Sequence, residues 1–486
     1  MKKGIELVTQ FQQRTAGHSL WPPLHNMKPF FQVSGWNASN LFDALYTDRT
    51  PFPLLIITTP EKSAVYLSEE KPLHLAREIF AQHLQGLIVL SERQKLFVAN
   101  KRQMDALYQT YNQQTLATMS EAELLYLLQK VNRLLWLTNT ALFFTLSFDR
   151  EVITTLHPKG IKDAVWDVLT NPVEESFDQA AQRAFLGYVA QGLQGDELAE
   201  ACQYMFTSYS AVYSIGEITG KLTEKFPQEL FQPEVAQKSL QQMDVVLEDK
   251  RRQREVFKKN HKQDEQNINE FIEAVITLRD QRKGFLAKGQ TVCWRIAERL
   301  ADLAQMPHAY LPHITHHELC KGVQYLSTHS DHFNKRIRGS VMYVDADGAV
   351  TITHQGAAEA LTMMQSHHER LQGIDRAAKS ISGQIGSRGV VEGIVRIVFD
   401  PEKAEHFTEG DILVTGMTRP EFVPLMGRAS AIITDEGGVT CHAAIISREM
   451  RMPCIIGTKI GTMVLRDGER VRVDAENGCV YRLDGR

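Results

Sequence analysis

The sequence DEGGVTCHAAIISRE at residues 435–449 decides the fold of the C-terminal part of this chain. It follows a run of small and β-branched residues from Ala429 to Thr434, a pattern that predicts a buried strand. Gly437 and Gly438 then allow a tight turn and a close approach of the backbone, because glycine has no Cβ. A strand, a glycine turn and a helix in this order predict an α/β unit.

His442 lies in the first turn of the helix that this stretch predicts. Thr440 is a favourable N-cap residue, and residues 443–450 are good helix formers. Backbone amides at a helix start lack partners and the dipole there is positive, so the position favours a phosphoryl anion and a neutral imidazole. A neutral ring keeps a lone pair for nucleophilic attack. The pattern predicts a histidine that accepts and passes on a phosphoryl group, with Gly437, Gly438 and Thr440 as phosphate contacts.

A plainer interpretation is that His442 caps a surface helix and the two glycines only form a turn, because short motifs often occur by chance. The wider sequence favours the phosphoryl interpretation. The stretch closely resembles the phosphohistidine swivelling domain of phosphoenolpyruvate (PEP)-utilising enzymes, a group that includes PEP synthase, pyruvate phosphate dikinase and the rifampin phosphotransferases. The core of the resemblance consists of Gly437, Gly438, Thr440, His442, Ala443, Ala444, Ile445, Arg448 and Glu449.

Further matches extend the resemblance over residues 383–486. They include Gly386, Ser387, Gly389, Gly393, Gly410-Asp411-Ile412, Thr418-Arg419-Pro420, Pro453, Ile455-Ile456-Gly457-Thr458 and Asp467-Gly468. The resemblance implies that His442 is phosphorylated during turnover and that the domain swings between two sites. We expect Arg419 to contact the phosphoryl group. The departures are Cys441 in place of Ser, Arg388 in place of Pro, and Arg451 in place of a helix-ending Gly.

The rest of the chain predicts a multidomain protein of α plus α/β class. Residues 1–70 read as a small mixed α/β segment, and residues 71–370 as a large, mainly helical region that binds an acceptor or partner. The polar residues 371–382 read as a hinge linker. Residues 383–486 form the compact α/β swivelling phosphohistidine domain.

Composition narrows the function classes. The chain has 486 residues, a net charge of −4 and 43% hydrophobic residues, so overall charge gives no support to nucleic-acid binding. Six cysteines in this length indicate a reduced, cytoplasmic protein without a disulfide framework. The N-terminal sequence lacks the apolar core of a secretory signal, and the apolar run at 124–148 is too polar for a clear membrane span.

The parts that donate phosphoryl groups in the resembled enzymes are not recognisable in this sequence. Residues 1–370 lack a visible ATP-grasp or Walker A pattern, and no PEP-binding barrel follows the histidine domain. The layout resembles the rear part of a rifampin phosphotransferase. It implies a separate ATP-grasp protein as donor, Mg and ATP at that partner's site, no cofactor on this chain, and a small-molecule acceptor on the helical region. The alternatives are a non-catalytic, phospho-regulated interaction protein and a self-sufficient kinase with a divergent nucleotide site.

Three other patterns have structural explanations that we favour. His313, His316, His317 and Cys320 have metal-ligand spacing, but Thr315 and Glu318 read as a capping box, and we predict no metal. The basic run at 250–262 reads as a solvated helix face, with electrostatic docking of an anion or partner as the alternative. Arg448 lies six residues after His442 and points away from it on an ideal helix, so we expect a structural or docking role.

Overall fold

The computed structural model describes residues 2–16, 24–25, 54–58, 63–67, 89–141, 173–207, 213–260, 263–344, 350–418, 422–439 and 441–483. Within these ranges the N-terminal part is mainly helical and the C-terminal part is α/β, as the sequence predicts. No helix among the described residues combines the length and apolar character needed to cross a bilayer.

A five-stranded antiparallel sheet joins two distant parts of the chain. Its strands are β1 (Leu24–His25), β2 (Leu54–Thr58), β3 (Ser63–Leu67), β4 (Ser340–Val344) and β5 (Val350–Thr353), in the order β1-β3-β2-β4-β5. Strand β2 pairs with β4 in a register that sets Leu55 opposite Tyr343. Helices α1 (Lys2–Arg14) and α13 (Ala357–Gln372) cover this sheet with an apolar core that includes Val8, Phe11 and Met364. Strands β2 and β3 therefore share one unit with β4, β5 and α13.

The helical region lies between these strands in the sequence. Its helices are α2 (Val89–Thr110), α3 (Gln113–Ala117), α4 (Glu121–Ala141), α5 (Phe177–Ala190), α6 (Gly195–Cys202), α7 (Ile215–Lys225), α8 (Pro233–Asn260), α9 (Gln263–Leu303), α10 (His316–Leu319), α11 (Val323–Thr328) and α12 (Ser330–Ile337). Helix α9 has 41 residues and contributes a long run of buried side chains, from Phe271 to Ala301, to the core of this region. Phe185 of α5 stacks on Phe226 just after α7, with ring centroids 4.0 Å apart, which fixes these two helices together.

The C-terminal domain is built on an eight-stranded mixed sheet. The strands are β6 (Ser380–Ser382), β7 (Gln384–Ser387), β8 (Val390–Ile397), β9 (Ile412–Thr415), β10 (Ala431–Thr434), β11 (Cys454–Ile456), β12 (Arg470–Asp474) and β13 (Cys479–Arg482). Strands β8, β9, β10 and β11 run parallel, and the others are antiparallel. Every residue of β9 and β10 is buried, which explains why their sequences, ILVT and AIIT, are apolar up to the final threonine.

The remaining helices of this domain are α14 (Val423–Met426), α15 (His442–Glu449) and α16 (Gly461–Val464). Helix α13 ends before Gly373, whose φ of 60° suits a helix terminus. The edge strand β6 lies within the residues that we predict as linker. It belongs to the C-terminal domain, since Ile381 is buried in the core of that domain's sheet. The described connection between α13 and this sheet is therefore residues 373–379.

Candidate functional site

The loop after β10 carries the histidine motif at the carboxyl edge of the parallel strands. Asp435 is buried there and accepts hydrogen bonds from the hydroxyl groups of Thr458, at 3.0 Å, and Thr462. Burial raises the pKa of Asp435, although these hydrogen bonds act in the opposite direction. Carboxyl ends of parallel strands are the usual ligand-binding edge of α/β sheets, and Asp435 fixes the loop at that edge.

Gly437 needs to be glycine for two reasons. Its φ is 109°, a region that residues with a Cβ rarely adopt. A Cβ at this position would also lie 2.7 Å from the Cys441 Sγ atom. The loop can therefore fold tightly against the start of α15, as the sequence predicts.

His442 is the first residue of α15, and Cys441 is the N-cap. The prediction of Thr440 as N-cap is wrong by one residue, because Cys441 adopts the extended conformation (φ −74°, ψ 164°) that precedes a helix. The Cys441 side chain makes no capping hydrogen bond. Ala443 and Ala444 are buried in the apolar core that α15 shares with strands β9 and β10.

The two ring nitrogens of His442 face different parts of the protein. Nδ1 lies 3.0 Å from the Thr418 hydroxyl, within the same domain. Nε2 lies 3.4 Å from Oδ2 of Asp178, which belongs to α5 of the helical region. Nε2 is buried and has no hydrogen bond of good geometry within the described part of the chain. Thr418 therefore orients the ring, and Nε2 is the atom directed out of its own domain.

Asp178 is the helical region's contribution to this contact. It stands in the first turn of α5, where the helix dipole favours a negative charge. Its Oδ1 atom lies 3.1 Å from Nζ of Lys225 at the end of α7, and its side chain is 20% exposed. Burial raises the pKa of Asp178, but the contact with His442 and the charge of Lys225 outweigh burial, so the net shift is downward. The group is therefore a carboxylate at neutral pH.

Val439 and Arg448 complete the described part of the histidine loop. Val439 packs against the core of the helical region as well as that of the C-terminal domain. Arg448 donates a hydrogen bond of 2.6 Å from Nη2 to the Val439 carbonyl oxygen. The contact holds the backbone at Val439, whose side chain packs against the helical region. It therefore agrees with the structural role predicted for Arg448.

The other predicted phosphate contacts divide into two groups. Gly437 and Gly438 lie in the loop that leads to His442. Thr440 and Arg419 lie outside the described residues, so their contact with a phosphoryl group stays a prediction. Sequence reasoning gave no role to Thr418 or Asp178. Thr418 belongs to the match Thr418-Arg419-Pro420, in which only Arg419 was expected to contact the phosphoryl group, whereas nothing in the local sequence of Asp178 sets it apart from other helix-start carboxylates.

The possible metal cluster is explained by helix capping. Thr315 and Glu318 form the predicted capping box of α10, and Glu318 also pairs with Arg336 at 2.7 Å. His316 is buried with its Nε2 atom 3.3 Å from the Cys320 Sγ atom, and burial lowers the His316 pKa to about 4. The described residues contain no group of three or more potential ligands close enough to hold a metal ion.

The basic run lies mostly on α8, and its exposed members include Arg251, Arg252 and Lys259. Arg254 is buried and lies 3.5 Å from Glu273 of α9, so it serves packing within the helical region. Lys250 lowers the pKa of Glu449 in α15, although desolvation raises it more strongly. One end of this run therefore faces the histidine domain, while its exposed members on α8 form the solvated face that the sequence predicts.

Residues 407–478 match the family described as "PEP-utilising enzyme, mobile domain". Similar proteins include a probable phosphoenolpyruvate synthase of Archaeoglobus fulgidus, 40% identical over 31% of this chain and 20% of that protein. The phosphoenolpyruvate synthase of Pyrococcus furiosus is 46% identical over 24% of this chain and 14% of its own. A probable phosphoenolpyruvate synthase of Methanothermobacter thermautotrophicus is 50% identical over 21% of this chain and 15% of that protein. The chain thus matches a fifth or less of each of these relatives, and the C-terminal region carries a PEP-utilising mobile domain.

Proposed function

We propose that this chain is the phosphohistidine-carrying component of a phosphotransferase. The observation that carries the proposal is the position of His442: it begins a helix in a PEP-utilising mobile domain, and its Nε2 atom points at the helical region. In the proposed cycle a separate ATP-grasp protein, with its own ATP and Mg, phosphorylates Nε2. The domain then swings back and delivers the phosphoryl group to an acceptor on the helical region.

Two features support Nε2 as the phosphorylated atom. Thr418 occupies the direction of Nδ1 at 3.0 Å, whereas Nε2 lacks a well-formed hydrogen bond within the described residues. A hydroxyl can donate or accept, so Thr418 serves the ring whichever nitrogen carries the proton. With the proton on Nδ1, the Nε2 lone pair is available for attack on phosphorus.

The buried state of the ring supports the swivelling motion. His442 is only 8% exposed, and Asp178 lies directly before Nε2. A donor cannot place phosphorus on Nε2 while the two domains are in this contact, so loading requires that they separate. Residues 373–379 join the domains, and rotation about a short connection is an established type of domain motion. In the proposed cycle we assign this arrangement to the acceptor side.

Labelling tests this proposal. The purified chain is incubated with γ-labelled ATP, with and without a candidate ATP-grasp protein, and examined for acid-labile, base-stable label. We expect label only with the partner, and its loss in His442→Ala. His406→Ala, at an exposed histidine of the same domain, is the control and should label normally. Label without a partner would indicate a self-sufficient kinase, and absence of label in every case would favour an interaction protein.

A further inference from the structure

The helical region places a carboxylate, Asp178, and an ammonium group, Lys225, next to each other beside His442 Nε2. Oδ2 of Asp178 lies 3.4 Å from His442 Nε2, and Oδ1 lies 3.1 Å from Lys225 Nζ. The three groups come from α5, α15 and α7, so folding of the helical region and docking of the domain assemble them. Sequence motifs assign no role to either Asp178 or Lys225.

Docking of the histidine domain does not by itself explain why a carboxylate, Asp178, lies beside His442 Nε2. A phosphorylated His442 carries about two negative charges on its phosphoryl oxygens, and a neighbouring carboxylate repels them. A surface that only had to hold the phosphohistidine would favour cations such as Lys225 over a carboxylate. The carboxylate is instead suited to handle a proton, as the catalytic aspartate of protein kinases does beside the substrate hydroxyl.

We infer that Asp178 moves the acceptor's proton to His442 Nε2 during phosphoryl transfer, while Lys225 offsets the charge of the phosphoryl oxygens. This inference rests on the proposed function. The acceptor O–H bond breaks and its proton goes to Asp178 Oδ2, while the acceptor oxygen forms a bond to phosphorus. The bond between phosphorus and Nε2 breaks, and its electron pair stays on Nε2. Asp178 then gives the proton to Nε2. Because Nδ1 keeps the proton that it carries during loading, the ring ends as an imidazolium beside the Asp178 carboxylate, and it loses one proton to solvent before the next loading.

The observed contact is the geometry expected after this transfer. With the phosphoryl group gone, Nε2 carries a proton towards Asp178, and Nδ1 keeps its proton towards the Thr418 hydroxyl. During transfer the contact opens enough to admit the phosphoryl group and the acceptor. A strong base is unnecessary, because phosphoryl transfer passes through a loose transition state in which the hydroxyl is deprotonated late. The lowered pKa of Asp178 keeps it ionised at the start of the step.

The arrangement also narrows the acceptor class. A carboxylate or phosphate acceptor is already ionised at neutral pH and needs no base, and Asp178 would repel it. A neutral hydroxyl compound both needs the base and avoids the repulsion. Asp178 thus selects for a hydroxyl acceptor over an acid.

The test uses the full chain loaded chemically with phosphoramidate, so that neither the donor protein nor the natural acceptor is required. Transfer from phospho-His442 to water, ethanol and trifluoroethanol is followed by phosphorus NMR. We expect Asp178→Asn to load normally but to transfer to water and ethanol on the order of 100-fold more slowly, as expected for loss of acid–base catalysis. Asp178→Glu should recover part of the rate. Asp244→Asn, which removes a carboxylate that pairs with Arg183 of α5, should transfer as wild type.

The alcohol pair separates proton transfer from positioning. Trifluoroethanol gives up its proton more readily than ethanol, so Asp178→Asn should slow its reaction less than that of ethanol. Equal slowing of both alcohols would make Asp178 a positioning residue and overturn the inference. Unchanged transfer to all three acceptors would also overturn it, while the proposed carrier function would stand. Failure of phosphoramidate to label His442 would instead count against the carrier function itself.

Discussion

The two sides of the site differ in how the chain encodes them. In the C-terminal domain, Thr418 and His442 are 24 residues apart and belong to one recognisable pattern. In the helical region, Asp178 and Lys225 are 47 residues apart, on two helices that only tertiary packing brings together. The difference teaches that a carrier domain can be recognised from local sequence. The surface of the helical region that faces His442 depends on the packing of distant segments.

The largest expected difference between the two regions is the loss in free energy of unfolding when the arginine of an ion pair is removed. Arg336 and Glu318 form a buried pair in the helical region, with side chains 5% and 10% exposed. Arg336→Met leaves Glu318 without its cation, and we expect the free energy of unfolding to fall by about 3–5 kcal/mol. Arg470 pairs with Glu392 on the surface of the C-terminal domain, and Arg470→Met should cost about 0–1 kcal/mol. Urea unfolding of the two variants measures both values, and equal losses would contradict this assignment.

The second prediction concerns the histidine loop. Gly437→Ala forces an unfavourable φ and a contact with Cys441, so we expect a loss of about 2–3 kcal/mol. Because the loop positions His442, labelling by phosphoramidate should slow by about tenfold or more. Gly410→Ala is the matched control: its φ is 88°, but no atom lies within 4 Å of the added Cβ. It should cost about 1 kcal/mol and leave labelling unchanged. Similar labelling rates in the two variants would show that the close approach at Gly437 is unimportant.

The third prediction concerns ring orientation within the carrier domain. Thr418→Val removes the hydroxyl that contacts Nδ1, a loss of about 1 kcal/mol for one hydrogen bond. We expect phosphorylation of His442 to slow by about five- to tenfold. Thr418→Ser keeps the hydroxyl and should restore most of the rate. A Ser variant as slow as the Val variant would assign the effect to packing rather than to the hydrogen bond.

The smallest expected effects are opposite pH dependences in the two regions. The pKa of Glu318 is lowered, because Arg336 and the Thr315 contacts outweigh burial, so its contribution to stability is lost as pH falls below about 4.3, the ordinary Glu value. The pKa of Asp435 is raised by burial, so its contribution declines as pH rises from about 3.9, the ordinary Asp value, through its raised pKa.

Denaturant unfolding at several pH values compares wild type with Glu318→Gln and Asp435→Asn. The Glu318 variant should lose less stability in acid than wild type does. The Asp435 variant should lack the decline as pH rises above the ordinary Asp value. The same pH slope in both variants would contradict the opposite shifts.

The particular residues show what sequence could and could not predict. Buried strands β9 and β10, and the helix that begins at His442, follow from their apolar patterns and from the glycine turn. The N-cap was misplaced by one residue, because Thr440 and Cys441 are both compatible with a helix start and the turn from Gly438 to Cys441 decides between them. The sequence does not single out Asp178, because its contacts with His442 and Lys225 come from tertiary packing rather than from its own neighbours in sequence.

The five-stranded sheet has a practical consequence for dissecting this protein. Because β2 lies between β3 and β4, a fragment beginning after residue 70 would leave β4 as an unprotected edge with unpaired backbone groups. Such a fragment would be prone to aggregate even if every helix formed. Expression of the N-terminal part of the chain by itself should therefore retain the first seventy residues, or supply them as a separate complementing peptide.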